Sequence, residues 1–179
     1  ITPLFGLIGT MIVNNKMAFF SDALGHSALT GIAVGTLLGI SNMNLSMIIF
    51  AIIFALLLNF VKNRSSYGAD TIISVFSSIA IAIGLAILAR TGNFNQYSNY
   101  LVGDILAISK NDLMFLAIAF VLVLIFWTVC FNKLNIISIN QSLAKTKGIR
   151  TNLYDNLFAI IIAIMVMLSI RWIGILLIN

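Results

Sequence analysis

The sequence alternates between long apolar runs and short polar segments, and this pattern places most of the chain inside a membrane. A helix needs about 20 mostly apolar residues to cross the roughly 30 Å hydrocarbon core of a bilayer. Because 61% of the 179 residues are hydrophobic and only 8% are charged, the chain cannot cover itself with the polar surface of a soluble protein. We therefore predict an all-α fold, a polytopic transmembrane helix bundle.

About six helices are expected from the apolar runs. The predicted membrane-embedded segments cover residues 1–13, 23–40, 45–61, 71–89, 113–131 and 156–170. The first of these runs is short for a span, and a last apolar run at 173–178 is only six residues long. We expect residues 1–179 to form a single transmembrane domain that is truncated, with further helices in the full chain.

The basic residues predict the orientation of these segments. Behind the odd-numbered segments lie Lys16, Lys62, Arg64, Lys133, Lys145, Lys147 and Arg150, whereas Arg90 and Lys110 follow the even-numbered ones. This bias predicts that the odd-numbered segments end in the cytoplasm. The largest cytoplasmic loop then covers about residues 132–154, with a short helix over 141–147 that stops at Gly148. The net charge of +5 reflects this topology, so no nucleic-acid partner is expected.

One pair of ionisable residues falls within the second segment. Asp22 and His26 are four residues apart, which places them on one face of a helix with their Cβ atoms about 5–6 Å apart. An ionisable side chain inside a bilayer is by default a functional hypothesis, and a carboxylate with an imidazole suits a first-row divalent cation. Two readings stay open: a metal-ligand pair, or a helix cap at Asp22 beside a buried polar His26.

Small residues follow this pair at every fourth position. Ala23, Ser27, Gly31, Gly35 and Gly39 form a ridge of the kind that brings helices into close contact in lipid. Thr30 continues the line of Asp22 and His26 and is a candidate pathway or gating residue. Asp104, in the segment between the fourth and fifth helices, is either a second pathway residue or a carboxylate that stabilises a turn.

Signature motifs of several enzyme classes are absent from the sequence. It contains no GxxxxGK[ST] nucleotide loop, no HExxH zinc-protease motif and no GxSxG hydrolase motif. A single histidine also limits metal catalysis. We therefore expect no enzyme activity, no catalytic residues and no permanently bound cofactor.

A known signature matches residues 16–33, which read KMAFFSDALGHSALTGIA. Further matches keep the same order: DTIISVFSS at 70–78, GDIL at 103–106, LAKTKG at 143–148 and GILL at 174–177. Together they resemble the permease subunit of the bacterial zinc/manganese/iron ABC importers. Two departures are visible, because Asn140-Gln141-Ser142 replaces an Asp-Pro-Glu-like stretch and Thr30 stands at a proline position.

The resemblance implies a homodimeric, multi-pass permease of the bacterial cell (inner) membrane. Its partners would be a cytoplasmic ABC ATPase, an extracytoplasmic metal-binding protein, a second copy of itself and the lipid bilayer. The family's metal-pathway residues fall on Asp22 and His26, and its ATPase-contact loop falls on Leu143, Ala144 and Gly148. The transported cargo would be a zinc, manganese or iron ion. The alternatives are a permease for a metal chelate such as a siderophore or cobalamin, an intramembrane metalloenzyme, and a structural membrane subunit.

Overall fold

A computed structural model of the protein describes residues 2–15, 17–40, 42–91, 100–103 and 110–175. Regular structure in these residues is entirely helical, which confirms the all-α prediction. The helices are α1 (Thr2–Asn14), α2 (Phe20–Leu37), α3 (Met43–Arg64), α4 (Ala69–Thr91), α5 (Lys110–Ile139), α6 (Gln141–Thr146) and α7 (Thr151–Ile173). Residues 100–102 are also helical.

Four of these helices are long and apolar enough to cross a membrane: α3, α4, α5 and α7. Helix α1 contains an apolar stretch, Phe5–Asn14, that is short for a span. Helix α2 has 18 residues but carries Asp22, His26 and several hydroxyl groups, which lower its hydropathy. Of the six predicted membrane-embedded segments, four are therefore supported by helices of sufficient length and hydropathy. For α1 and α2 the membrane-embedded position stays a prediction.

Helix α5 is longer than the sequence pattern indicated. It continues as far as Ile139, whereas the predicted segment ended at Phe131. Cys130, Leu134 and Ile137 follow each other about one helical turn apart and are all buried. The buried apolar face therefore extends beyond Phe131 and stabilises the longer helix. Asn140 then begins α6, because its side-chain oxygen accepts hydrogen bonds from the backbone N–H groups of Ser142 and Leu143. Much of the predicted 132–154 loop is therefore helical.

Among the helices longer than ten residues, the least apolar one, α2, lies at the centre of the bundle. Eleven of the eighteen residues of α2 are buried, and α3 and α4 pack along two of its sides. Lipid cannot form hydrogen bonds to polar groups, so a helix with many polar side chains is stable in a membrane only when other helices surround it. The amino-acid composition of α2 thus explains its central position.

The glycine ridge of α2 packs against α3. A Cβ added at Gly35 would lie 2.6 Å from the Cβ of Ser46, and one added at Gly31 would lie 3.2 Å from the Cα of Met47. The Ser46 hydroxyl donates a 2.7 Å hydrogen bond to the carbonyl oxygen of Gly31. Small residues here allow the two backbones to approach closely, as predicted for Gly31 and Gly35.

Gly39 was wrongly included in this ridge. It lies beyond the last residue of α2, has a φ of +71°, and a Cβ added there would meet nothing within 4 Å. Its N–H donates to the Thr36 carbonyl, and the N–H of Ile40 donates to the Gly35 carbonyl. These bonds form a Schellman motif, so Gly39 ends the helix in the left-handed conformation and takes no part in helix packing.

A substitution at Gly35 tests this packing. Gly35→Ala should lower the free energy of unfolding by about 1–3 kcal/mol, because the added methyl group overlaps Ser46 in a closely packed interface. The matched control is Gly9→Ala in α1, where an added Cβ meets no atom within 4 Å. Thermal unfolding in detergent measures both variants. Equal melting temperatures for Gly35→Ala and Gly9→Ala would contradict the close α2–α3 contact.

Most of the basic residues gather at one end of the bundle. At this end α3 lies beside α7, and the Asn59 side-chain amide donates a hydrogen bond to the side-chain oxygen of Asn156. Helix α5 also meets α7 there, where the Lys133 Nζ donates a 2.7 Å hydrogen bond to the Tyr154 hydroxyl. Among the described residues, the cations at this end are Lys62, Arg64, Lys133, Lys145, Lys147 and Arg150, with Arg90 at the opposite end of α4. That this end is cytoplasmic stays a prediction.

At the opposite end, two glycines bring two chain segments together. Gly103 has a φ of +74°, and a Cβ added there would lie 2.5 Å from the backbone nitrogen of Gly174. Gly174 ends α7 with a φ of +84°, and its added Cβ would overlap the carbonyl carbon of Val102. Backbone therefore packs on backbone where the 100–103 segment meets the end of α7.

Candidate functional site

Asp22 and His26 contact each other directly. The His26 Nε2 lies 3.1 Å from the Asp22 Oδ1, and their side chains are 29% and 38% exposed, respectively. The sequence predicted this pairing from the four-residue spacing on one helical face. Both side chains are therefore accessible on a helix that is otherwise mostly buried.

The pair lies on the one side of α2 that the other helices leave partly uncovered. Asp22, His26 and Leu29 follow each other at helical spacing, and all three are half-buried. The residues between them, such as Ala23 and Ala28, are completely buried. This half-buried face thus presents the carboxylate of Asp22, the imidazole of His26 and the apolar side chain of Leu29.

This donor set can bind a divalent cation weakly. Oxygen and imidazole nitrogen suit zinc and manganese, but two ligands do not complete a coordination shell. In the part of the chain that the structure describes, no third His, Cys, Asp or Glu joins the pair. Asp22 also lies in the first turn of α2, where the positive end of the helix dipole opposes a bound cation. Such a site is suited to brief occupation rather than to permanent metal binding.

Thr30 belongs to the helix packing in this structure. Its side chain is 1% exposed, and its hydroxyl donates to the Ala80 carbonyl oxygen of α4. A Cβ added at Gly84 would lie 2.8 Å from the Thr30 Oγ1, which shows how closely α4 approaches. Thr30, the next residue on the helical face of Asp22 and His26, is therefore covered by α4 and is not accessible. Ser27 is also buried, and its hydroxyl donates to the Leu24 carbonyl.

One further candidate of the sequence analysis is not among the residues that the structure describes. Asp104, the second candidate pathway residue, lies outside the described residues. Its role stays a sequence-based prediction.

The predicted ATPase-contact loop divides into exposed and buried residues. Leu143 is 49% exposed on α6, whereas Ala144 is completely buried against the bundle. Gly148 ends α6 with a φ of +74°, and the Ile149 N–H donates to the Ala144 carbonyl, which forms a second Schellman motif. Of these three residues, Leu143 exposes an apolar surface, Ala144 packs α6 against the bundle, and Gly148 ends the helix.

The sequence analysis missed a polar contact between α3 and α7. Asn59 is completely buried, its amide donates to Asn156, and its own side-chain oxygen has no hydrogen-bond partner. Asn59 follows three leucines in the third apolar run, so an isolated amide in a predicted span was the available signal. The contact joins the two helices close to the basic end of the bundle.

A family model described as the ABC 3 transport family matches residues 1–179. The chain belongs to this family. It is therefore a transport component, and its apolar helices make it a multi-pass protein of the bacterial inner membrane. Of the sequence motifs quoted above, the one at residues 16–33, which contains Asp22 and His26, is the most specific.

Named relatives agree with this assignment. The chain is 28% identical, over 96% of its length, to the high-affinity zinc uptake system membrane protein ZnuB of Haemophilus influenzae. It is 27% identical, over 97% of its length, to the manganese import system permease protein ScaB of Streptococcus parasanguinis. It covers 66% and 61% of these two ABC 3 relatives, so it spans slightly less than two thirds of their length.

A solved structure shows the same arrangement of helices. PsaBC from Streptococcus pneumoniae, determined in complex with a Fab, matches with a TM-score of 0.76 and 26% sequence identity. The match covers 98% of this chain and 63% of that chain. The helical bundle is therefore similar to most of that subunit.

Proposed function

We propose that this chain is the permease of an ATP-driven importer of zinc or manganese ions. The observation that carries this proposal is the Asp22–His26 pair, which lies partly exposed on a helix that is otherwise mostly buried. ZnuB is named for zinc and ScaB for manganese, which supports these two ions over iron. The test is ATP-dependent uptake of each metal by proteoliposomes that contain the full-length chain, its ATPase and its binding protein.

The transport cycle requires partners that we assign from the family. An extracytoplasmic protein would deliver the ion, a cytoplasmic ATPase would bind at the 132–154 segment of this single permease domain, and a second copy of the chain would complete the pathway. Two copies related by a two-fold axis would bring two Asp22–His26 pairs towards one another. Four ligands are enough for a transient divalent site, and transport requires release as well as binding.

The other candidate functions have weaker support. A path for a metal chelate has no need of a paired carboxylate and imidazole, and both ZnuB and ScaB are named for metal ions. A metalloenzyme would need a third ligand and a general base, and the sequence holds a single histidine. A purely structural subunit would leave the accessible position of His26 without a role.

The contact with the ATPase leads to a specific prediction at Leu143. Leu143→Asp should lower recovery of the ATPase with the permease by roughly tenfold, because it places a charge where an apolar contact forms. Ser142→Asp is the matched control, since it adds the same charge at the neighbouring exposed position. Co-purification and coupled ATP hydrolysis measure the effect. An intact complex with unchanged coupling in Leu143→Asp would refute the assignment of this contact.

A further inference from the structure

A basic cavity lies between the end of α5 and the beginning of α7. It has a volume of about 490 Å³, within the range of ligand sites, and Lys133, Lys147, Arg150 and Tyr154 line it. Among the described residues that line this cavity, none is acidic. Three cations therefore converge on one concave surface that has no carboxylate among its described lining residues.

The beginning of α7 adds to this positive potential. Arg150 occupies its N-cap position, no side chain caps the helix, and the first turn carries no acidic residue. A helix of 23 residues has a partial positive charge at this end, and this charge attracts anions. Asp155 lies one turn further and lines a different cavity, together with Lys62. The basic cavity and the helix end thus favour the same kind of ligand.

The hydroxyl of Tyr154 supplies a neutral donor in the cavity. It accepts the 2.7 Å hydrogen bond from the Lys133 Nζ, and this leaves its own O–H group for a further acceptor. The Lys133 ammonium also lies 4.9 Å from the centre of the Tyr154 ring, which fixes its position. Phosphate oxygens match this arrangement of cations and donors, because they accept several charge-assisted hydrogen bonds at once.

An exposed apolar stripe on α5 leads to this cavity. Leu122, Ile125 and Val129 are 60%, 55% and 62% exposed and lie on one helical face at spacings of three and four residues. Lys133 is the next position on that face, four residues after Val129. On α7, Leu153 lines the cavity and is 46% exposed. Apolar surface that runs along the membrane and ends at a group of cations is shaped for a lipid rather than for a soluble anion.

We propose that this cavity binds the headgroup phosphate of an anionic phospholipid from the leaflet on the basic side of the bundle, with the acyl chains along the α5 stripe. The cations Lys133, Lys147 and Arg150 would neutralise the phosphate, and the Tyr154 hydroxyl would donate to it. Basic pockets between transmembrane helices on the cytoplasmic side are known as anionic-lipid sites. This inference does not depend on which ion the permease transports.

Native mass spectrometry of the full-length permease with phosphatidylglycerol tests the proposal. The unsubstituted chain should bind a first phosphatidylglycerol at least tenfold more tightly than phosphatidylcholine. Arg150→Gln should weaken this first binding event by about fivefold, since one cation near a membrane contributes about that factor. The triple variant K133M/K147Q/R150Q should lose the preference, while Lys133→Arg should keep it.

The matched control is the double variant R64Q/K145Q, which removes two cations at the same end of the bundle but outside this cavity. It should bind phosphatidylglycerol as the unsubstituted chain does. An equal loss in this control, or no preference in the unsubstituted chain, would overturn the proposal. If inorganic phosphate alone displaces the lipid, the cavity would be assigned to a soluble anion instead. If phosphatidylglycerol binds only when the ATPase is present, the cavity would be assigned to the contact with that protein.

Discussion

His26→Ala should reduce ATP-driven metal uptake by roughly 100-fold or more while the permease remains inserted in the membrane and bound to its ATPase. Loss of a group that only orients a metal ligand costs about 10–100-fold, and His26 would be a ligand itself. Alanine is the best helix former, so the substitution leaves α2 intact. Uptake of zinc and manganese by proteoliposomes, normalised to the amount of assembled complex, measures the effect.

Asp22→Asn should give a similar loss for an electrostatic reason. The amide keeps the shape of the side chain but removes the charge that compensates for the desolvation of a divalent ion. Ser27→Ala is the control, because Ser27 directly follows His26 on α2, is buried, and its hydroxyl bonds within the same helix. If Asp22→Asn and His26→Ala both take up metal at the parental rate and express equally, the pair is structural and the pathway lies elsewhere.

Gly174→Ala should prevent the bundle from forming its native structure at the end opposite the basic residues. Its φ of +84° and ψ of 156° lie in a region that is essentially restricted to glycine, which alone costs about 1–3 kcal/mol for another residue. The added Cβ would also overlap the carbonyl carbon of Val102. Together these effects should lower the free energy of unfolding by about 3 kcal/mol or more. Thermal unfolding and the yield of monodisperse protein measure this change.

Gly148→Ala is the control that separates the cost of the backbone conformation from the cost of the Cβ overlap. Gly148 also has a positive φ, of +74°, but a Cβ added there meets nothing within 4 Å. The control should therefore lose about 1–2 kcal/mol, which is the cost of the left-handed conformation alone. A Gly174→Ala protein as stable as Gly148→Ala would show that the 100–103 segment does not pack against the end of α7.

The positions of the helices could be predicted largely from hydropathy, because four of the apolar runs form helices long enough to cross a bilayer. The end of α5 could not, since Leu134 and Ile137 continue a buried face across polar residues. Gly39 and Gly35 share the same four-residue spacing, yet Gly39 ends the helix and Gly35 packs in it. Spacing alone does not reveal where a helix stops.

In the candidate site, too, some features could be predicted from local spacing and others could not. The contact between Asp22 and His26 follows from their spacing on a single helix, so local geometry was sufficient to predict it. The burial of Thr30 depends on the approach of α4 at Gly84, and such a long-range contact leaves no periodic signal in the sequence. The burial of Ala144 likewise depends on how α6 packs against the bundle. Local motifs were predicted more reliably than contacts between helices.

X-ray absorption at the metal edge tests the central claim most directly. The sample is the permease–ATPase complex without its binding protein, loaded with zinc or manganese in the absence of ATP. The proposed function predicts a mixed nitrogen and oxygen shell at about 2.0–2.2 Å together with imidazole outer-shell scattering. Replacement of His26 by alanine should remove the imidazole scattering. A spectrum that His26→Ala leaves unchanged, or a shell of oxygen atoms alone in the parental complex, would contradict the assignment of Asp22 and His26 to the metal pathway.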